Sequence, residues 1–219
     1  MFVIKRKNTG VTLLLILIFL ISGCTKVNPA EDIYHHLEKA VSLEAAFEEQ
    51  QEPLSKAENE EYELYDEILT LANLEEIQTL ANQAEQIALS RKEMIEKEKA
   101  SIEEAYSEFT QVHPIIETIE NEELSRSATE LVTVMEKRYK TYTELYNEYR
   151  NAIDLDIELY QLVQKEDLTI DELEAQHDKV NSSYEAVNKL KDQFNTYTIK
   201  YNELKRSFYE LAELEVVYQ

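Results

Sequence analysis

"TIDELEAQHDKVNSSYEAVNKLKDQFNTYTIKYNELKRSFYEL", residues 169–211, is the stretch whose spacing decides the fold. Leu173, Val180, Val187, Phe194, Tyr201 and Phe208 recur every seven residues, and Leu190, Tyr197, Leu204 and Leu211 stand three places after the last four of them. These are a and d positions of a heptad. A seam this long specifies a helix packed at a shallow angle against others. Thr169 precedes Glu172 by three residues, a capping box in which each side chain satisfies an amide of the first turn, so this helix has a defined start.

The same period runs backward through the chain. Ala128, Val132, Met135, Tyr139, Tyr142, Tyr146, Tyr149 and Ile153 alternate spacings of four and three, and Pro114 marks the expected start of their helix. Before it, Leu74, Ile77, Ala81, Ala84, Ala88, Ile95, Ile102, Ala105, Phe109 and Val112 form a third stripe, broken by Arg91 and Glu98. From Pro29 to about Leu71 lie Ile33, Leu37, Val41 and Phe47, then Leu64, Ile68 and Leu71, with Pro53 as a break, a kink or a new helix start. Segments of ~40 to 50 residues would span roughly 60 to 75 Å at 1.5 Å per residue. The fold expected is all-α, an elongated antiparallel helical bundle or coiled coil of about three to four long helices.

Glycine usage narrows the functions open to it. Gly10 and Gly23 are the only glycines, and both precede residue 24. A chain without glycine has no easy route to φ > 0 hairpin turns or to close backbone approach to phosphates, which argues against β-rich folds, P-loops and Rossmann fingerprints.

The N-terminal stretch is of another kind. Lys5, Arg6 and Lys7 precede an uncharged run from Val11 to Ile21 that ends in Ser22-Gly23-Cys24, the basic, apolar and small-residue order of a secretory signal peptide. The run is well short of the ~20 residues a membrane-spanning helix needs. "ISGC" resembles a bacterial lipobox, and Cys24 is the single cysteine of the chain, so it is expected to carry a diacylglyceryl group and to become residue one after cleavage. Two or three acyl chains on one residue anchor stably, at ~0.8 kcal/mol per buried methylene. The expected organisation is a signal peptide over 1–23, a tether over 24–30 and one helical bundle over 31–219, held at the outer face of the cytoplasmic membrane by lipid.

After residue 23 there remain 19 Lys and Arg against 45 Asp and Glu, a net charge of −26. So acidic a body is repelled by nucleic acid and by anionic head groups, and reaches anionic wall polymers only through divalent cations or a locally basic face. The one such face is "RYKTYTELYNEYR", where Tyr139, Tyr142, Tyr146 and Tyr149 stand beside Lys137, Arg138, Lys140 and Arg150. One reading makes it a surface for stacking on sugar rings or a peptide. The other makes the tyrosines seam residues with their hydroxyls at the wet edge, and the helical spacing favours this second reading.

Metal and catalytic constellations are weak. Glu174 with His177, and Asp32 with His35, have the i, i+3 spacing of helical carboxylate–histidine metal sites. In the heptad, however, Glu174 takes an outward b position, and His35 and His36 point ~100° apart. No pair of carboxylates is selected for glycoside cleavage, and no nucleophile–base arrangement can be nominated. The chain is expected not to be an enzyme and to need no metal or cofactor.

"PAEDIYHHLEKAVSLEAAFEEQQEPLSKAENEEYELYDEI" and "LANQAEQIALSRKEMIEKEKASIEEAYSEF" resemble the YkyA-type family of cell-wall-binding lipoproteins of Gram-positive bacteria. The resemblance implies an extracytoplasmic, lipid-anchored helical protein of the envelope, and Cys24 is the position it carries over. Two functions are therefore expected: a module binding peptidoglycan or a wall-associated protein, or a structural spacer or assembly factor contacting other membrane proteins.

Overall fold

The computed structural model describes residues 28–216, of which 86% are helical, with no strand among them. Six helices follow one another: α1 (Pro29–Leu43), α2 (Ala45–Ile68), α3 (Leu74–Phe109), α4 (Val112–Ile116), α5 (Glu122–Leu162) and α6 (Ile170–Leu211). Cys24, the expected signal peptide over 1–23 and residues 25–27 of the expected tether lie outside the described residues. None of the helices described is long and apolar enough to cross a membrane.

Asparagine begins most of the long helices. Asn73 Oδ1 accepts from the amides of Glu75 at 2.9 Å and Glu76 at 3.2 Å, and Asn121 Oδ1 from those of Glu123 and Leu124 at 3.0 Å. Asn28 caps α1, so that helix begins at Pro29, inside the stretch expected as tether. In each case acidic residues follow in the first turn, where they complement the helix dipole. The capping box at Thr169 and Glu172 forms as read from the sequence.

One proline sits elsewhere than expected. α5 starts at Glu122 rather than Pro114, because Asn121 supplies a cap. Pro114 falls in the single turn of α4, where a missing N–H costs little. Pro53 lies exposed inside α2 and does not end it. The break in the first long segment comes instead at Glu44, and α3 repairs it. Ser101 Oγ donates to the Leu43 carbonyl at 2.6 Å and accepts from the Phe47 amide at 3.2 Å, taking up polar groups freed at the bend. From the opposite side the two Nη atoms of Arg138 grip the Glu44 carboxylate at 2.7 and 2.8 Å.

Counting α1 and α2 as one bent helix, the molecule is an elongated four-helix bundle in which α2 packs on α3, α3 on α5 and α5 on α6, each antiparallel to the last. The core has two halves. At the end where α1 enters, Ile33, Leu37, Phe109, Leu131 and Phe208 are fully enclosed and the four helices close on one another. Toward the other end Ala81, Ala84 and Ala88 let α3 approach its neighbours closely. There α6 does not close back on α2. The gap is spanned by the Phe47–Phe194 edge contact at one end and by Tyr65–His177 at the other.

Candidate functional site

The gap between α2 and α6 is a slot of about 600 Å³, floored by α3 and α5. From Phe47 to Tyr65 it runs roughly 27 Å along the helix axis at 1.5 Å per residue. Its chemistry begins with the two charged residues that interrupt the α3 stripe. An arginine or glutamate at a seam position must be enclosed with its partners, since burying an uncompensated charge costs several kcal/mol or more.

Arg91 is 2% exposed and forms one polar layer across all four long helices. Its Nη1 donates to Glu61 Oε2 of α2 at 2.8 Å and to Asp156 Oδ2 of α5 at 3.1 Å. Its Nη2 donates to the hydroxyls of Tyr184 of α6 at 2.7 Å and Tyr149 of α5 at 3.2 Å. The phenols pass their own protons outward: Tyr184 donates to Asp156, Tyr149 to Glu58, and Tyr160 to Glu61 Oε1 at 2.8 Å. Arg91 also lies 5.3 Å over the Tyr149 ring. Its charge is thus answered inside the layer. Burial holds the Asp156 carboxyl up at about 6, above its ordinary value, against the pull of Tyr184 and Arg91.

Two turns along α3, Glu98 is 6% exposed and no cation is among the groups that act on its carboxyl. Gln51 Nε2 donates to its Oε1 at 2.5 Å, while Oε2 has no protein partner. Burial, with repulsion from Glu58, pushes its carboxyl up to about 8. Tyr142, on α5 and 3% exposed, also lines the slot, and its hydroxyl has no hydrogen-bond partner. Farther along, the Tyr65 hydroxyl meets His177 Nε2 across the gap, and burial pushes that phenol up to about 12.

The eight residues read from the sequence as one basic-aromatic face are distributed around α5. Tyr142, Tyr146 and Tyr149 line the slot, whereas Tyr139 stacks on Tyr106 of α3 with ring centroids 3.7 Å apart. Arg138 is buried on Glu44, and Lys137, Lys140 and Arg150 stand exposed away from the tyrosines' inner side. Glu174 is exposed, while His177 turns into the slot, so these two do not converge. His36 pairs with Glu108 at 2.7 Å, and His35 lies exposed beside Tyr34. Among the described residues no three His, Cys, Asp or Glu side chains gather as a metal site would require. Sequence reading missed Arg91, Glu98, Glu61 and Asp156 as site residues; their signal was the break each makes in an apolar stripe.

Residues 28–211 match the model of the YkyA family, described as "Putative cell-wall binding lipoprotein". The chain is similar to the uncharacterized lipoprotein YkyA of Bacillus subtilis (strain 168), with 34% identity over 199 residues that cover 90% of this chain and 89% of the relative. Its fold is similar to that of a conserved protein of unknown function from Staphylococcus aureus, with a TM-score of 0.75 and 14% identity, over 82% of this chain and 91% of that one.

Proposed function

From the premise that the chain belongs to the YkyA family of lipoproteins, we propose that it is a non-enzymatic binding module of the cell envelope. Cys24 carries the lipid at the outer face of the cytoplasmic membrane, and the slot between α2 and α6 receives a component of the wall or a wall-associated protein. The observation that carries this reading is the slot itself: an open, tyrosine-lined recess in a bundle whose other half is closed. Such a recess suits a ligand with apolar or ring faces and a few polar anchors. Binding is favoured over turnover because the charged groups of the Arg91 layer are engaged with one another rather than poised on a nucleophile. The name of the matched family supports a wall ligand.

A second reading, a spacer or assembly factor contacting other membrane proteins, draws on length. α5 has 41 residues and α6 has 42, so each runs about 60 Å.

The two readings separate by sedimentation. Purified protein from residue 24 onward, without acyl chains, is expected to pellet with insoluble cell walls and to do so in EDTA, because the slot, unlike the acidic outer faces, needs no bridging cation. Pelleting that EDTA abolishes would move the contact to the acidic faces, and no pelleting in either condition would leave the spacer role as the better account. For the anchor, Cys24→Ala is expected to abolish incorporation of labelled palmitate and to release the protein from membranes; equal labelling of the variant would overturn lipid attachment at Cys24.

A further inference from the structure

The slot's polar inventory is one-sided. Glu58, Glu61, Glu98 and Asp156 face two cations, Arg91 and Lys191. The Nη atoms of Arg91 are not on offer, since both are bound within its own layer. Two enclosed groups on the wall of the slot are left without a protein partner and can accept, Glu98 Oε2 and the Tyr142 hydroxyl; the donors left over are Arg91 Nε, within the layer, and the exposed Lys191. An acceptor-rich pocket is completed by a donor. An ammonium brings three donors and no acceptor, whereas a carboxylate or phosphate ligand would bring only more acceptors and more negative charge. The tyrosine rings agree with this sign, for Lys99 Nζ already sits 5.0 Å from the centroid of the Tyr146 ring, and Arg91 over Tyr149.

Between these groups the walls are apolar. Leu54, Ile95, Phe47 and Leu145 line the slot on either side of Glu98, so a ligand whose charge reached that carboxylate would lay its remaining length on hydrocarbon.

We propose that the slot binds a primary ammonium borne on an aliphatic chain, with the ammonium on Glu98 Oε2 and the Tyr142 hydroxyl and the chain along Leu54, Ile95 and Phe47. This rests on the reading of the slot as the binding site and names the class of ligand it takes. Two sources share that chemistry, a free polyamine or the amino end of a side chain in a wall peptide.

Placing the ammonium on Glu98 has a proton signature. Of the charged or titratable groups that line the slot with it, Glu58 on α2 acts on Glu98 and Glu98 on Tyr142 of α5; Tyr146 of α5 and the exposed Lys191 of α6 also line it, and Glu61, Arg91, Tyr149, Asp156, Tyr160 and Tyr184 belong to the Arg91 layer, with Tyr62, Tyr65 and His177 completing the set. Burial and Glu58 hold the empty site's carboxyl near 8, so at pH 7 most molecules must release a proton to accept the cation.

The test is a calorimetric titration with 1,5-diaminopentane, using 1,5-pentanediol and glutarate as neutral and anionic controls of matching length. The diamine alone is expected to bind, with proton release visible as a difference between buffers of unlike ionisation heat. Glu98→Gln is expected to weaken binding tenfold or more and to erase the proton release, and Tyr142→Phe to weaken it severalfold; both variants keep the shape of the wall. Equal binding of the diol, no binding of the diamine, or unchanged binding by Glu98→Gln would each overturn the proposal. The sources separate when wall amino groups are acetylated. Lost sedimentation points to the wall peptide, and retained sedimentation with diamine binding intact points to the free amine. Walls that pellet the protein while the diamine fails to bind would retain the wall reading and reject the ammonium.

Discussion

Arg91→Ala is expected to lower the unfolding free energy by about 3 to 5 kcal/mol, the cost of removing one partner from a buried ion pair. The loss comes less from the arginine's own bonds than from what it leaves behind. Glu61 and Asp156 stay enclosed without their cation, and the hydroxyls of Tyr149 and Tyr184 lose the donor that orients them. Urea unfolding followed by circular dichroism measures it. The combined variant Arg91→Met, Glu61→Gln, Asp156→Asn should recover most of the loss, because the layer then holds no charge. A single variant that unfolds at the unmodified midpoint would show that the layer does not stabilise the bundle.

Glu98→Gln should act in the opposite direction and depend on pH. A carboxyl raised from its ordinary value of 4.5 to about 8 binds its proton more tightly folded than unfolded. Its favourable contribution is therefore complete below pH 4.5 and is lost as pH rises through the folded value. The slope is at most about 1.4 kcal/mol per pH unit for one group. Asp156, raised to about 6, adds a slope of the same sign at lower pH. Glu98→Gln is expected to match the unmodified protein near pH 4.5, to exceed it by several kcal/mol at pH 8.5, on the order of the full shift, and to flatten the stability profile between. Parallel profiles for the two proteins would place the pH dependence elsewhere.

Periodicity made the helices legible and left the site largely hidden. On α6 the a positions Val187, Phe194, Tyr201 and Phe208 are buried as the heptad requires, but Leu173 and Val180, at the slot end, are only half-buried because no helix closes over them. A heptad specifies which face of a helix turns inward and says nothing of whether its neighbours meet. Arg91 and Glu98 were visible as interruptions of a stripe. Their meaning depended on Glu61, Asp156 and Tyr184 reaching the same level from three other helices, and interhelical register follows from turns the sequence marks only weakly. The asparagine caps belong to this class, since Asn73 and Asn121 look like any polar residue until the helix after them is known. The basic-aromatic face failed to assemble for a geometric reason: neighbours in sequence are turned about 100° from one another on a helix. Tyr142 and Tyr146 therefore face inward while Lys137, Lys140 and Arg150 do not.

The division of the bundle into a closed and an open half also sets a height. The chain enters at Pro29, on the closed end. From there to Phe47 is roughly 27 Å of helix and to Tyr65 roughly 54 Å, at 1.5 Å per residue. Were the protein held at a surface by this end and upright on it, it would carry the slot as a stalk carries a hook. It would clear lipid head groups and reach structures several nanometres out, while the closed half serves as the stem.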